Sequence, residues 1–204
     1  MPTEPGAAPA RPLAPRSRRV RQAVLDATLE LLLEGGLPAA TVDAVNARSG
    51  VSKATIYKHW PNRTAVAIDA YTQHMAEQVP TPADSGDARA DLVELLRSVC
   101  AFYSGSLGAI YAQLLAQSVT DPAGRQRLHE GFLAQRRAVT SAVWQRAVDQ
   151  GLVRPGIDVD IAVDSLVGPV IFRLVSGHAP LTPDQAEALA DATLDGLLLP
   201  ADPR

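Results

Sequence analysis

"GVSKATIYKHW", residues 50–60, holds both lysines of a chain that otherwise takes its positive charge from arginine. Gly50 before it and Pro61 after it punctuate the chain at both ends. Ser52 has the chemistry of an N-cap for a helix beginning at Lys53. Val51 and Ile56 stand at the spacing of a hydrophobic staple. At about 100° per residue, Ile56 and Trp60 share a face and turn inward. Ala54, Thr55, Lys58 and His59 then point away, with Lys53 and Tyr57 toward the flank. Pro61 ends the helix because it cannot continue one comfortably.

The stretch on either side fits the same unit. Val20, Val24, Leu25, Thr28, Leu31 and Leu32 recur at helical spacing over about 18–34, and Gly35-Gly36 stop that helix. Thr41 caps a short second helix with Val42 and Val45 on its inner side, and Gly50 ends it. Two short helices across a tight glycine turn make a helix-turn-helix. Asn62 caps a fourth helix running to about Gln78. Residues 1–17, with five prolines, read as a disordered tail. Arg16, Arg18, Arg19 and Arg21 follow as a basic cluster, either a solvated helix start or an arm for phosphates or a minor groove.

Composition bounds the rest. The 204 residues are 47% hydrophobic but only 4% aromatic, so the core is expected to be Ala, Leu and Val on helices. One cysteine, Cys100, excludes an internal disulfide and a cysteine-based zinc finger. It reads as a small buried side chain. No apolar run has the length of a membrane span and no signal peptide is evident, so a cytoplasmic protein with no membrane partner is expected. The net charge is −3, unevenly spread: residues 1–78 carry nine Lys/Arg against seven Asp/Glu, and residues 79–204 carry ten against fifteen. Only the N-terminal part suits a polyanion.

A Pro/Asp/Ser/Gly stretch at 79–87 marks a domain boundary. Beyond it, helices are expected at roughly 88–104, 107–119, 122–150, 158–177 and 183–198. Asp121-Pro122 and Thr182-Pro183-Asp184-Gln185 are well-formed helix starts. The 158–177 helix is apolar on nearly all sides, and 183–198 carries a wide apolar stripe. A domain this small covers both most easily by pairing with a second copy. Leu166, Val170, Leu174, Leu194 and Leu197 are the residues expected at that dimer interface. Phe102, Tyr103, Tyr111, Phe132 and Trp144 are the large side chains expected to approach a ligand cavity, with plain core as the competing reading. The expected fold is all-α with about nine helices. An N-terminal helix-turn-helix domain at 18–78 precedes a helical, self-pairing domain at 79–204.

The helix from Lys53 has the chemistry of a recognition helix. Ala54 and Thr55 let the backbone approach base edges, and a threonine can hydrogen-bond a base or meet a thymine methyl. Ser52, Lys53, Tyr57, Lys58 and His59 offer donors for phosphate oxygens. Thr41 and Arg63 stand at helix starts whose amides suit phosphates, and Arg19 belongs to the basic arm. The run "TVDAVNARSGVSKATIYKHWPNRTAV" closely resembles the DNA-binding domain of the tetracycline-repressor (TetR) family, over about residues 18–78. The resemblance implies an all-helical homodimer whose third helix enters the major groove, and a C-terminal ligand-binding domain that relieves repression. Trp60 stands for the usual Phe, Arg63 for Lys and Thr64 for Glu, which weakens the start of the fourth helix. Asn46 replaces a small apolar residue. "LVGPVIFRLVSGHAPLT" is more distantly similar to the penultimate helix of one branch of the family.

Two other classes compete with this reading. An enzyme finds little support: His59, His74, His129 and His178 form no i,i+4 pair, and there is no HExxH, GxSxG or Gly-rich phosphate loop. Asp158, Asp160 and Asp164 are the acids expected at a helix start. A helical partner-binding protein without operator specificity would bind all duplexes equally. The reading is therefore a repressor that binds a palindromic operator as a homodimer. A small hydrophobic or amphipathic effector releases it, and no cofactor or metal takes part.

Overall fold

The structure, a computed structural model, describes residues 15–78 and 82–197. Every element among them is helical: α1 (Pro15–Ala39), α2 (Val42–Ser49), α3 (Lys53–His59), α4 (Arg63–Ala76), α5 (Ala88–Ser104) and α6 (Ser106–Ser118). α7 (Pro122–Leu128) then passes through a π-helical turn (His129–Leu133) into α8 (Ala134–Asp149), followed by α9 (Val159–Ser176) and α10 (Pro183–Leu197). The single helix expected over 122–150 is thus a continuous rod with a π turn inside it. The tail reading of 1–14 lies outside the described residues. Residues 15–17, expected in that tail, are the first turn of α1.

The helix-turn-helix is held by local chemistry. α1 breaks at Gly35 and Gly36, whose φ of 67° only glycine adopts freely. Thr41 Oγ1 accepts from Ala44 N–H at 3.1 Å. Gly50 closes α2 in the left-handed conformation, its N–H donating to the Asn46 carbonyl at 3.0 Å. The Asn46 side chain donates to the Val51 carbonyl at 2.8 Å, so this unusual residue locks the turn. Asn62 Oδ1 accepts from Ala65 N–H at 2.8 Å and starts α4. Ile56 and Trp60 are both buried in a core that includes Val24, Leu25, Val45 and Ile68. Burial of a side chain the size of Ile56 contributes roughly 1.5–3 kcal/mol.

Two seams join the halves. α1 packs on α6, where the Gln113 side chain accepts from Leu37 N–H at 2.6 Å, and a Cβ added at Gly36 would strike that same side chain. α4 packs on α7 and the π turn. The segment before α5 is clamped by Asp91, a buried carboxylate that accepts from Ser85 N–H and Oγ and from Arg146. α10 lies along α5 and α9, fastened by Arg89 to Asp191 and Asp195, each at 3.0 Å, and by Arg97 to Glu187 at 2.8 Å.

Candidate nucleic-acid interface and ligand cavity

α3 shows solvent the face opposite Ile56 and Trp60. Ser52, Lys53, Ala54, Tyr57 and Lys58 are exposed, and Thr55 and His59 are half-buried. Ser52 Oγ accepts from Thr55 N–H at 3.3 Å and lies 3.0 Å from Thr55 Oγ1, so one serine caps the helix and orients the threonine. The two lysines differ. Lys53 Nζ is paired with Asp43 of α2, which raises its pKa through the hydrogen bond. Lys58 has no ion pair among the described residues. Arg63 is exposed at the start of α4 and Arg19 on α1, while Thr41 is half-buried by its capping bond. Arg21, expected in the basic arm, turns inward. Its guanidinium sits 5.0 Å from the Trp60 ring centroid and donates to Asp69 at 2.7 Å.

Asp69 on α4 was not singled out from sequence, and it joins four elements. Its carboxylate accepts from Arg21 of α1, from Trp60 Nε1 at the end of α3 at 2.8 Å, and from Arg127 of α7 at 2.9 Å. Burial alone would raise its pKa, but the hydrogen bonds from Trp60, Arg127 and Arg21 together hold it below the ordinary aspartate value.

The C-terminal half encloses a cavity of about 710 Å³ among α5, α6, α8 and α9, within the range usual for small-molecule sites. Phe102, Tyr103, Tyr111 and Phe132 line it, with Leu95, Val99 and Ile171. The aromatic rings touch one another: Tyr111 and Phe132 centroids are 5.0 Å apart, and Phe102 and Tyr103 are 4.9 Å apart. Burial pushes the Tyr111 phenol up to about 12, so it stays a neutral donor. Trp144, expected at the cavity, is not in its wall. It is fully buried in the core one turn beyond Thr140, the last residue of α8 in the wall.

Charged groups also reach this wall. Arg137 donates to Asp160 at 2.7 Å and is paired with Asp164. Arg136 instead donates to the carbonyls of Met75 and Gln78, both at 3.3 Å, and lies over the rings of Phe132 and Phe102. Burial pushes its pKa down, against the pull of the nearby Tyr71 and Tyr103 phenols. A sequence signal existed for Arg136: it follows Phe132 by four residues, on the helix face that enters the cavity.

The comparisons with known proteins agree with this geometry. Residues 24–70 match the bacterial regulatory proteins of the tetR family, and residues 82–193 match the domain described as "Tetracyclin repressor-like, C-terminal domain". The chain is 34% identical over 190 residues to the HTH-type transcriptional regulator Mb1581 of Mycobacterium bovis, covering 93% of this chain and 89% of that one. It belongs to the TetR family. The HTH-type regulator YdeS of Bacillus subtilis is 30% identical over 161 residues, covering 79% of this chain and 81% of its own. The crystal structure of the TetR family regulator SCO0332 superimposes with a TM-score of 0.72 at 36% identity, over 87% of this chain and 98% of that chain. The chain is thus an HTH-type regulator of transcription, not an enzyme. Among its described residues no single helix is long and apolar enough to cross a membrane.

The face expected to pair TetR-family protomers must be redrawn. Leu166, Val170 and Leu194 are buried within the protomer and cannot meet a second copy. Leu174 and Leu197 are half-buried. A helix apolar all round gives no sign of which side faces its own core, and its largest side chain, Phe172, faces outward. The solvent-facing apolar stripe of α9 is Ile161 (60% exposed), Gly168, Phe172 (65%) and Val175 (56%). On α10 the exposed small residues are Ala188, Ala192 and Gly196. Leu198, expected in the α10 stripe, lies outside the described residues.

Proposed function

We propose that this TetR-family regulator is a homodimeric repressor. It reads a palindromic operator in duplex DNA with α3, works in the cytoplasm, and is released by a small amphipathic effector. The division into a reading half at 18–78 and a sensing and pairing half at 79–204 belongs to the same proposal. The observation that carries it is the pairing of an exposed, capped α3 with a separate apolar cavity, joined through Gln113 and Asp69. On α3, Ala54 and Thr55 are assigned to base edges. Tyr57, Lys58 and His59 are assigned to phosphates, with Ser52, Thr41, Arg63 and Arg19 at the flanks. Lys53 is assigned there too, sharing its charge with Asp43. An effector acts by preferring a dimer whose two α3 helices no longer match the half-site spacing. Pairing is assigned to the exposed stripes of α9 and α10.

Salt titration of operator and scrambled duplex tests this reading. Lys58→Ala removes one phosphate contact per subunit, so log K against log salt should become shallower by about 1.8. Affinity should fall alike for both duplexes. Thr55→Ala should leave the slope unchanged and cost roughly 1–3 kcal/mol at the matched base pairs only. An unchanged slope for Lys58→Ala would remove the lysine from the interface. Equal wild-type affinity for operator and scrambled duplex would sink the regulator reading as a whole.

A further inference from the structure

Two adjacent arginines of α8 reach the cavity, and their surroundings differ. Arg137 is neutralised by Asp160 and Asp164 of α9. Arg136 has no carboxylate partner among the described residues. Among the described residues its acceptors are the Met75 and Gln78 carbonyls at 3.3 Å, beyond the usual 2.7–3.2 Å range for such bonds. The faces of Phe102 and Phe132, which also line the cavity, lie 5.7 and 5.3 Å away, and the Tyr71 and Tyr103 phenols are near it. The one carboxylate in the cavity wall, Asp164, is already taken by Arg137. A guanidinium half-removed from water beside an apolar space is costly unless an anion meets it, and its planar fork matches a carboxylate.

We propose that the cavity takes a hydrophobic monocarboxylate, its carboxylate on the Arg136 guanidinium and its apolar body among Phe102, Tyr111, Phe132 and Leu95. The proposal rests on the reading of the cavity as an effector site and names the chemical class of that effector. A neutral hydrophobe would leave the charge of Arg136 unanswered. A cationic amphiphile would be repelled by it. Fully polar anions would gain nothing from the ring cluster.

The test is calorimetric titration of the full chain with three probes that share one tail: decanoate, decan-1-ol and decyltrimethylammonium. Decanoate should bind about tenfold or more tighter than the alcohol, the ratio expected when a charge-assisted pair replaces a neutral contact. The ammonium probe should bind most weakly. Arg136→Gln should bring decanoate close to the level of the alcohol, and Arg136→Lys should restore part of the difference. Because Arg136 also holds the end of α4, thermal melting must first show that each variant is folded. If Arg136→Gln does not fold, the wild-type ranking decides alone. A wild type that binds decan-1-ol as tightly as decanoate overturns the proposal, as does a folded Arg136→Gln that keeps the preference. If none of the three probes binds, the effector-site reading falls with it. A clear decanoate preference in a protein that ignores operator DNA leaves the site standing and removes only the regulator reading.

Discussion

Ile161→Glu combined with Phe172→Glu should yield a folded monomer that has lost at least about a hundredfold in operator affinity. Both side chains are more than half exposed on α9, so charge there costs the isolated protomer little. Across a two-fold axis each Glu would face its own copy and an apolar surface at once, which desolvates it without a partner. Losing the dimer converts two linked half-site contacts into single ones, and linkage of that kind is worth roughly 10²–10⁴ in apparent affinity. Sedimentation at micromolar concentration and an operator titration report the two effects. Ile161→Glu alone is the cleaner variant for effector studies, because Ile161 does not line the cavity. Leu194→Glu, by contrast, should unfold the chain, since Leu194 has no exposure in the protomer. A wild type that sediments as a monomer at these concentrations would remove the pairing assigned to α9 and α10.

Asp69→Ala should cost about 3 kcal/mol of stability. That is the low end of the roughly 3–5 kcal/mol for breaking a buried pair, because Arg21 and Arg127 keep partial access to water. Asp69 itself is only 11% exposed, and its loss also strands the buried Trp60 N–H. The pH dependence has a definite sign. The folded carboxyl has a lower pKa than the unfolded one, so its stabilisation is complete above the unfolded value near about 4. It is lost as pH falls through the folded value. Melting curves across that acid range should show the wild type losing stability and Asp69→Asn losing less of it. An Asp69→Asn variant with the wild-type acid profile would show that the carboxylate contributes nothing by its charge.

Helix caps were legible because they are local. Thr41, Ser52 and Asn62 each accept the backbone N–H three residues on, as a reading of a few consecutive residues predicts. Ile56 and Trp60 were legible because a short helix with one apolar face leaves little choice. The orientation of α9 was not. With Ala162, Leu166 and Val170 on one side and Ile161, Phe172 and Val175 on another, periodicity has no polar face to use as a reference. Trp144 shows the same limit, since size alone separates neither core from cavity. Asp69 and Arg127 lie 58 residues apart, and a pair that distant leaves no pattern in a single chain. Arg136 does leave one, a charge on the apolar spacing of its helix, though ring size alone does not reveal it.

The π turn at His129–Leu133 acts as a phase shifter. On one side of it, Arg127 must face Asp69; on the other, Arg136 must face the cavity. Within the turn, Gly131 lies so close to Thr72 that an added Cβ would come within 2.6 Å of it. A π turn accommodates one residue more than the α-helical repeat. Winding the same residues as a regular α-helix would swing everything beyond the turn by about 100°. Arg136 would leave the cavity wall if Arg127 kept its partner, or the reverse. The winding of one turn therefore fixes how the two ends of the rod face their partners.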